Sequence, residues 1–350
     1  MPQTKNLESF VPQNNNIPSG SWQSPERHFK NAIEHKWYIA IARILSGIQV
    51  ETNSFYIQRN MLPALMPITC GSVSSPMGLG SDSLPVRISL FDKPTYLADS
   101  MQFHLEYMLR LLPEGVWYIM PTFRGEDHDA RHLNQFFHSE AEIIGSFQDV
   151  QGLVNEYIHH LTAWALKNHR KDIELFCGTT KHLEALLDKQ KDIPSISFDE
   201  AKKIIPANVN GIEIIEQGIE KITHAGEEYL ADYFGGVVWL INPPYKSVPF
   251  YQAYNENDGT AVCGDLILGK REIVGAGQRH TDVASLERAM TDLQIDPTEY
   301  AWYVRMKKEY PLQTSGFGLG IERYVAWLFG HDDIRDIHII PRLKGIDCVP

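Results

Sequence analysis

Residues 316–323 read Gly-Phe-Gly-Leu-Gly-Ile-Glu-Arg, and an apolar run follows them as far as Gly330. The alternating glycines predict a strand end that leads straight into a helix, which Gly330 then terminates. Backbone at a glycine such as Gly320 can come close to a ligand, and a helix N-terminus offers free N–H groups. Because Arg323 adds a positive charge in the first helical turn, the segment favours phosphate binding. A glycine-rich strand packed against an ordinary amphipathic helix would produce the same pattern.

A charged hairpin turn at residues 126–131 is the second candidate for ligand binding. One strand face carries an arginine and a carboxylate, a second arginine follows across the turn, and an aromatic ring lies on the return strand. These residues are Arg124, Glu126, Arg131 and Phe136. Arginine binds phosphates through paired N–H donors, so the segment suits a nucleotide whose base could stack on the ring. The alternative is a surface hairpin held by salt bridges.

Two carboxylates face each other across a second predicted hairpin, which turns at residues 269–270. In that register Asp265 and Glu272 lie diagonally on one face. Together with nucleotide phosphates, hard oxygen ligands of this kind suit Mg²⁺. Two solvated carboxylates on the hairpin rim are the alternative. Strict alternation would place Arg279 on the opposite face, so we expect a β-bulge at the glycine-rich residues 275–277 to bring it round.

A fourth segment, residues 100–106, reads Ser-Met-Gln-Phe-His-Leu-Glu and predicts a helix. Gln102 and Glu106 would lie one turn apart on one face of this helix. Taken alone, the segment is also typical of a plain amphipathic helix.

Taken together, these segments resemble the catalytic domain of class II aminoacyl-tRNA synthetases, in the asparaginyl and aspartyl group. Residues 316–323 resemble motif 3, residues 121–124 resemble the asparaginyl form of motif 2, and residues 100–106 resemble the asparaginyl substrate helix. The likeness covers residues 27–350 and implies one class II synthetase-like catalytic domain. It agrees with the α+β arrangement that the succession of predicted elements favours, an antiparallel sheet flanked by helices.

The resemblance implies a role for each candidate residue. ATP would contact Arg124, Glu126, Arg131, His132, Phe136, Gly320 and Arg323, of which Arg124 and Arg323 would be catalytic. Mg²⁺ would bind Asp265 and Glu272. The amino acid would contact Ser100, Gln102, Glu106 and Arg279, with Glu106 accepting from an N–H group and Arg279 donating to an oxygen.

Two details depart from the asparaginyl pattern. The turn at residues 127–130 is one residue shorter than in asparaginyl enzymes, and Gln135 stands where a glutamate is usual. Both departures concern the loop that faces the acceptor more than the contacts to ATP.

A pocket formed by Glu106 and Arg279 would fit two ligands. Asparagine could place its carboxamide there, or aspartate could enter reversed and present its β-carboxylate to ATP. With ammonia or an amine, the reversed pose would give a β-amide, as in the archaeal asparagine synthetases that residues 66–85 resemble. We therefore expect an amide ligase acting on aspartate or a close relative. The alternatives are α-carboxyl activation of asparagine, with transfer to tRNA, a carrier protein or a small amine, and a non-catalytic sensor of amino acids or nucleotides.

Composition narrows the partners and the location. The formal charge of −12 over 350 residues argues against a broad nucleic-acid-binding surface. The stretch before residue 27 is too short for an anticodon-binding barrel, so tRNA is not expected as a partner. No apolar run reaches membrane-spanning length and no C-x-x-C pair occurs. We expect a cytoplasmic protein that does not bind membranes, and the resemblance implies a homodimer.

The remaining chain is divided by its apolar periodicity and turn residues. Residues 1–26 are polar and predict a flexible arm, a long helix is expected at 27–50, and residues 71–85 form a loop that could close over the site. Further helices are expected at 149–167, 181–188, 198–205, 225–234, 281–294 and 297–310. Strands are expected at 62–67, 86–91, 95–98, 116–124, 133–143, 237–241, 250–254, 261–268 and 271–277.

Overall fold

The computed structural model describes residues 16–75, 79, 83–189 and 192–349. Its α-helices are α1 (Pro25–Glu34), α2 (Lys36–Ile57), α3 (Gln102–Leu109), α4 (Phe147–Cys177), α5 (Lys181–Asp188), α6 (Phe198–Ile204), α7 (His224–Tyr233), α8 (Val283–Asp292), α9 (Ala301–Glu309) and α10 (Ile321–Leu328). Its strands are β1 (Leu62–Pro63), β2 (Thr69–Cys70), β3 (Val86–Leu90), β4 (Lys93–Leu97), β5 (Val116–Phe123), β6 (Gln135–Ile144), β7 (Ser195–Ser197), β8 (Ile212–Ile214), β9 (Glu220–Ile222), β10 (Val237–Ile241), β11 (Tyr254–Asn255), β12 (Thr260–Ala261), β13 (Cys263–Leu268), β14 (Arg271–Gln278) and β15 (Thr314–Gly320).

An eight-stranded sheet forms the centre of the described chain, in the order β1-β5-β6-β15-β14-β13-β10-β7. Strands from β5 to β10 run antiparallel to their neighbours, and the two edge pairs, β1 with β5 and β10 with β7, are parallel. The predicted antiparallel sheet with flanking helices is therefore confirmed. The glycine-rich segment forms β15 and leads directly into α10, so it occupies the middle of the sheet, between β6 and β14.

Helices pack on the sheet around two main cores. On one side, α2, α4 and α10 pack with β6, β14 and β15, and their apolar side chains include Ile41, Leu161 and Val325. A second core joins α3, α8 and α9 through aromatic and aliphatic side chains such as Phe103 and Tyr303. Within the described ranges, no helix is long and apolar enough to cross a bilayer.

The segment expected to be a flexible arm is packed where the structure describes it. Residues 1–15 lie outside the described residues, so the prediction for them stays untested. Ser21–Gln23 form a 3-10 turn, and Trp22 is only 5 % exposed. Helix α1 then begins at Pro25, since proline fits the first position of a helix. The last part of the predicted arm therefore belongs to the folded domain.

The helix predicted at 27–50 is two helices. The backbone is extended at His35 (φ −105°, ψ 132°), and α2 then runs on to Ile57. Apolar residues recur on both sides of this break, so their spacing alone does not reveal it. The strand predicted at 250–254 is also shorter than expected, because only Tyr254 and Asn255 pair with β12.

A β-bulge in β14 determines which residues of that strand face the site. The hairpin turns at residues 269–270 as predicted, with Ile267 opposite Glu272. Leu266 is then opposite Val274, which leaves Ile273 as the extra residue. The expected bulge is therefore real, but it lies before the glycine run rather than within it. It brings Glu272 and Arg279 to one cavity although they are an odd number of residues apart.

Candidate active site

Two cavities lie side by side over β6, β14 and β15. The first, here called the nucleotide cavity, has in its lining Arg124, Arg131, His132, Phe136, Glu272, Gly320 and Arg323. The second, here called the substrate cavity, has in its lining Ser100, Gln102, Asp265, Glu272 and Arg279. Both include Arg124, His138, Glu272 and Gly318. The sequence-predicted residues are thus brought together, except for Glu106 and Glu126, which line neither cavity.

Arg124 lies at the junction of the two cavities, directly after β5. Its guanidinium carbon is 5.5 Å from the centre of the Phe136 ring, and its Nη1 is 4.0 Å from Glu126 Oε1. Its Nε is buried and has no hydrogen-bond partner among the described residues. A buried donor that lacks a partner is costly, so an anionic group at this junction would be stabilising. A phosphate is such a group.

Glu126 contacts the loop predicted at residues 71–85. Its Oε2 accepts from the backbone N–H of Leu84 at 2.9 Å, and the backbone N–H of Gly125 donates to Leu84 O at 2.7 Å. Glu126 does not line the nucleotide cavity here, and its contact with ATP stays a prediction. Residues 76–78 and 80–82 lie outside the described residues, so closure of the loop over the site stays a prediction.

Two further arginines of the nucleotide cavity are held by carboxylates. Arg323 Nη1 donates to Glu272 O at 3.1 Å and lies 3.4 Å from Glu272 Oε2. Arg131 Nη2 lies 3.7 Å from Oε2 of Glu227, a residue of α7 that the sequence did not single out. Both contacts are longer than a strong charge-assisted hydrogen bond, so phosphate oxygens could replace them.

The side chains of Asp265 and Glu272, here called the acidic pair, converge above Gly275. A β-carbon placed on Gly275 would lie 3.4 Å from Glu272 Oε1 and 3.5 Å from Asp265 Oδ1, so glycine leaves a cradle between two carboxylates. Desolvation, and then the charges of Glu272 and Glu227, raise the pKa of Asp265 well above its usual range. A bound cation would relieve this repulsion. Within the described residues no three potential ligand side chains gather, so the pair fits Mg²⁺ completed by phosphates and water.

Arg279 is 1 % exposed and forms part of the wall of the substrate cavity. It donates through Nε and Nη2 to the two carboxylate oxygens of Glu142, at 2.9 Å each. Nη1 donates to Gln252 Oε1 at 2.9 Å, and Nη2 also donates to Gln102 Oε1 at 3.1 Å. Burial is the largest single effect and would lower the pKa of Arg279, but the charge and hydrogen bonds of Glu142, together with the charge of Glu106, raise it. The arginine is therefore charged, oriented, and has one Nη1 N–H left for a ligand.

Glu106 lies behind the cavity wall rather than in its lining, so its contact with the amino acid stays a prediction. The carboxylate is fully buried and accepts from the hydroxyl of Tyr303, from Lys307 Nζ, and from Thr314 Oγ1 at 2.9 Å. Protein groups thus contact both oxygens, and Glu106 lines neither cavity. Lys307 arrives from α9, some two hundred residues along the chain, and nothing in the spacing of residues 100–106 indicates it.

Several residues of the substrate cavity were missed by the sequence analysis. Glu140 accepts from Ser100 Oγ at 2.6 Å and from the Tyr118 hydroxyl, and it lies 3.1 Å from His138 Nδ1. Burial is the largest single effect and would raise the pKa of Glu140, but His138 together with the hydrogen bonds from Ser100 and Tyr118 lowers it. Glu140 and Glu142 share one face of β6, and two carboxylates at that spacing within one strand were the available signal.

Asp99 and Gln252 are also part of the lining. Asp99 accepts from the backbone N–H of Ser74 at 3.1 Å and from Ser74 Oγ at 2.8 Å, which fixes the start of the loop beside the cavity. Gln252 orients Arg279, as described above. Neither residue belongs to a recognisable pattern, because each reaches the cavity from a loop.

Comparison with known proteins agrees with this geometry. Residues 40–344 match the family described as tRNA synthetases class II (D, K and N). The asparagine–tRNA ligase of Pyrococcus furiosus is 32 % identical over 261 residues, which are 73 % of this chain and 58 % of that protein. The asparagine–tRNA ligase of Protochlamydia amoebophila is 27 % identical over 336 residues, which are 87 % of this chain and 70 % of that protein. The chain thus spans about 58 % of the length of the Pyrococcus relative.

Solved structures show the same architecture. The asparaginyl-tRNA synthetase of Pyrococcus horikoshii complexed with asparaginyl-adenylate superposes with a TM-score of 0.83 at 26 % identity, covering 95 % of this chain and 76 % of that chain. The enzyme of Entamoeba histolytica in complex with asparaginyl-adenylate has a TM-score of 0.78 at 24 % identity, covering 98 % and 75 %, and supports the fold alone. With the family match over residues 40–344, the chain belongs to the class II tRNA synthetases of the D, K and N group.

Proposed function

We propose that the chain activates an amino acid of the aspartate–asparagine type with ATP, giving an aminoacyl adenylate and pyrophosphate. One observation carries this proposal: the two cavities share Arg124, Glu272 and Gly318. A nucleotide in the first cavity and an amino acid in the second would meet at Arg124, whose buried Nε has no protein partner within the described residues. A carboxylate and an α-phosphate can therefore be held next to each other.

In this reaction a carboxylate oxygen of the amino acid attacks the α-phosphorus, and the bond from that phosphorus to the pyrophosphate oxygen breaks. Arg124 and Arg323 stabilise the charge on the transferring and leaving groups. Arg131 and His132 hold the outer phosphates, and Phe136 stacks on the base. What Mg²⁺ supplies at the acidic pair is charge compensation for the leaving pyrophosphate. No nucleophile of the protein takes part.

The fate of the adenylate divides the proposal in two. Our first proposal is β-carboxyl activation of aspartate, with ammonia or an amine as acceptor, because the loop after residue 66 resembles that of asparagine synthetases. The second is α-carboxyl activation of asparagine with transfer to tRNA, a carrier protein or a small amine. Relatives with the name asparagine–tRNA ligase favour the second, and they give no support to the expectation that tRNA is excluded. A separate alternative, in which no adenylate forms, is a non-catalytic sensor of amino acids or nucleotides.

A cytoplasmic homodimer completes the proposal. Apolar side chains on and around β1 and the end of α2 face solvent, and Leu65 is 100 % exposed, with Ile57 57 % and Ile68 47 % exposed. A surface of this kind is typical of an interface between subunits. Sedimentation of the purified protein as a monomer at micromolar concentration would contradict the dimer.

Amino-acid-dependent exchange of pyrophosphate into ATP tests the proposal, with aspartate and asparagine run side by side. Exchange with aspartate, and asparagine as the product with ammonium, would support the amide ligase. Exchange with asparagine alone would support α-activation, after which bulk tRNA is tested as acceptor. Arg323→Ala should lower exchange by roughly a hundredfold. The matched control is Arg288→Ala, because the Arg288 side chain is 54 % exposed, pairs with Glu256 and lines neither cavity. Exchange with neither amino acid would refute the proposed activation of aspartate or asparagine and favour the non-catalytic sensor.

A further inference from the structure

The turn that joins β5 to β6 is held from outside by the N-terminal segment. Residues 125–134, here called the phosphate turn, carry Arg131 and His132 into the nucleotide cavity. The Trp22 ring packs edge-on against the His128 ring of this turn, with centroids 5.3 Å apart at 84°. Since Trp22 is only 5 % exposed, the contact is part of the packed structure rather than a loose surface encounter.

Trp22 also packs on residues 333–336, here called the supporting segment, which are hydrogen-bonded to the phosphate turn. The guanidinium carbon of Arg335 lies 4.2 Å from the centre of the Trp22 ring, which is a close cation–π contact. Arg335 is fixed in turn by Asp333, with Nε–Oδ1 at 2.9 Å and Nη2–Oδ2 at 2.7 Å. Arg335 Nη1 also lies 3.5 Å from His128 Nδ1, so the Trp22 ring, the guanidinium and the imidazole contact one another.

The same supporting segment is hydrogen-bonded directly to the phosphate turn. The backbone N–H of Ile334 donates to Ala130 O at 3.0 Å, immediately before Arg131. Asp129 Oδ1 accepts from the backbone N–H groups of Arg131 and His132, at 2.7 and 2.8 Å, so residues 129–132 form one unit. A change in the position of Ile334 or His128 would thus move Arg131.

The N-terminal segment is itself anchored. The backbone N–H of Gly20 donates to Asp336 Oδ1 at 2.8 Å, and the hydroxyl of Ser21 accepts from Asn31 Nδ2 at 2.8 Å and lies 3.1 Å from His28 Nδ1. The two residues before Trp22 are therefore anchored to Asp336 and to α1, which limits the movement of the Trp22 ring. This is the arrangement that a positioning contact requires.

We propose that Trp22 is a positioning residue for ATP binding, acting through His128 and Arg335 to hold the phosphate turn. The proposal rests on the nucleotide site proposed above and adds the N-terminal segment to it. Trp22 does not line the nucleotide cavity, so its loss should weaken the hold on the outer phosphates while leaving the substrate cavity intact. The specific consequence is a rise in the KM for ATP without an equal rise in the KM for the amino acid.

The test uses the full-length chain with Trp22→Ala and Trp22→Phe, and Trp164→Ala as control. Trp164 is a partly buried tryptophan of α4 packed on Gly47, away from both cavities. Trp22→Ala should raise the KM for ATP by about five- to thirtyfold, the range expected for a lost cation–π contact. Trp22→Phe, which keeps a ring over Arg335, should recover most of the loss. Trp164→Ala should leave the KM for ATP unchanged.

Amide hydrogen exchange of residues 128–132 in the ligand-free protein gives a second, independent result. Trp22→Ala should accelerate exchange there, and Trp164→Ala should not. Unchanged exchange in the turn would overturn the proposal, as would equal increases in the KM values for ATP and the amino acid. If the wild-type chain shows no pyrophosphate exchange while the turn loosens in Trp22→Ala, the proposed function fails and the positioning role stands.

Discussion

Replacement of Gly316 by alanine should destabilise the whole domain through the buried ion pair of the substrate cavity. Gly316 lies directly opposite Glu142 in the sheet. A β-carbon at Gly316 would be 1.7 Å from Glu142 Oε2 and 2.6 Å from the backbone oxygen of Ala141. Ordinary van der Waals contact needs at least 3.4 Å, so the Glu142 carboxylate must leave its position. The backbone oxygen of Ala141 cannot rotate away, so it does not make room for the new methyl group.

The cost follows from the groups that Glu142 holds. Its two hydrogen bonds to Arg279 would be lost, and the buried Arg279 would keep only its bonds to the uncharged side chains of Gln252 and Gln102. Breaking a buried ion pair costs about 3–5 kcal/mol of the free energy of unfolding. At about 2.1 cal/mol/K per residue, the unfolding entropy of 350 residues is roughly 0.7 kcal/mol/K, so Tm should fall by about 4–7 °C for a single cooperative transition.

Thermal unfolding followed by circular dichroism and calorimetry measures this loss. The matched control is Gly318→Ala, two residues along the same strand face, where the added carbon would lie 3.1 Å from Glu140 Oε1 and no backbone atom is among its three nearest neighbours. The control should change Tm by less than about 2 °C. A Tm for Gly316→Ala within 1 °C of the wild type would refute the reasoning, since the buried pair would then tolerate displacement.

Two further predictions concern the acidic pair and a buried carboxyl group. Gly275→Ala places a methyl group between the two carboxylates of the acidic pair. Mg²⁺-dependent exchange of pyrophosphate should therefore fall by at least about tenfold, while Tm stays unchanged. Activity and Mg²⁺ dependence equal to wild type would contradict the cation site. Burial raises the pKa of Glu322 to about 7, above its value of about 4.5 in the unfolded chain. The free energy of unfolding of the wild type therefore decreases as pH rises from about 4.5 to 7, because the unfolded chain releases this proton first. Glu322→Gln should therefore gain stability relative to wild type between pH 5 and pH 8, and a pH-independent difference in Tm would contradict this.

The sequence predicted the parts of the site whose chemistry is local. Arg124 and Arg131 flank one turn, Asp265 and Glu272 flank another, and Arg323 follows a glycine-rich strand, so spacing and turn geometry suffice to bring each set together. The sheet class follows for the same reason, because hairpins pair neighbours in the chain.

The sequence could not predict contacts between distant segments. Glu106 was assigned to the ligand because its helix resembles the asparaginyl substrate helix, and the contacts of Lys307 and Thr314 with its carboxylate could not be predicted from that segment. Trp22 was assigned to a flexible arm because its neighbours are polar, whereas its own ring is buried against Arg335. Burial of single residues in polar segments depends on tertiary packing, which periodicity does not record.

The extra residue Ile273 has a consequence for how this family can be compared and engineered. Side chains alternate between the two faces of a strand, and the extra residue shifts this alternation by one position. Glu272, before the bulge, and Arg279, after it, therefore face the same cavity only while the number of residues between them is preserved. A deletion or insertion of one residue between them would turn one of the two side chains away from the substrate cavity. Gaps in an alignment at this strand should therefore come in even numbers, and an odd gap would mark a relative in which the residue matching Glu272 or Arg279 no longer faces the cavity.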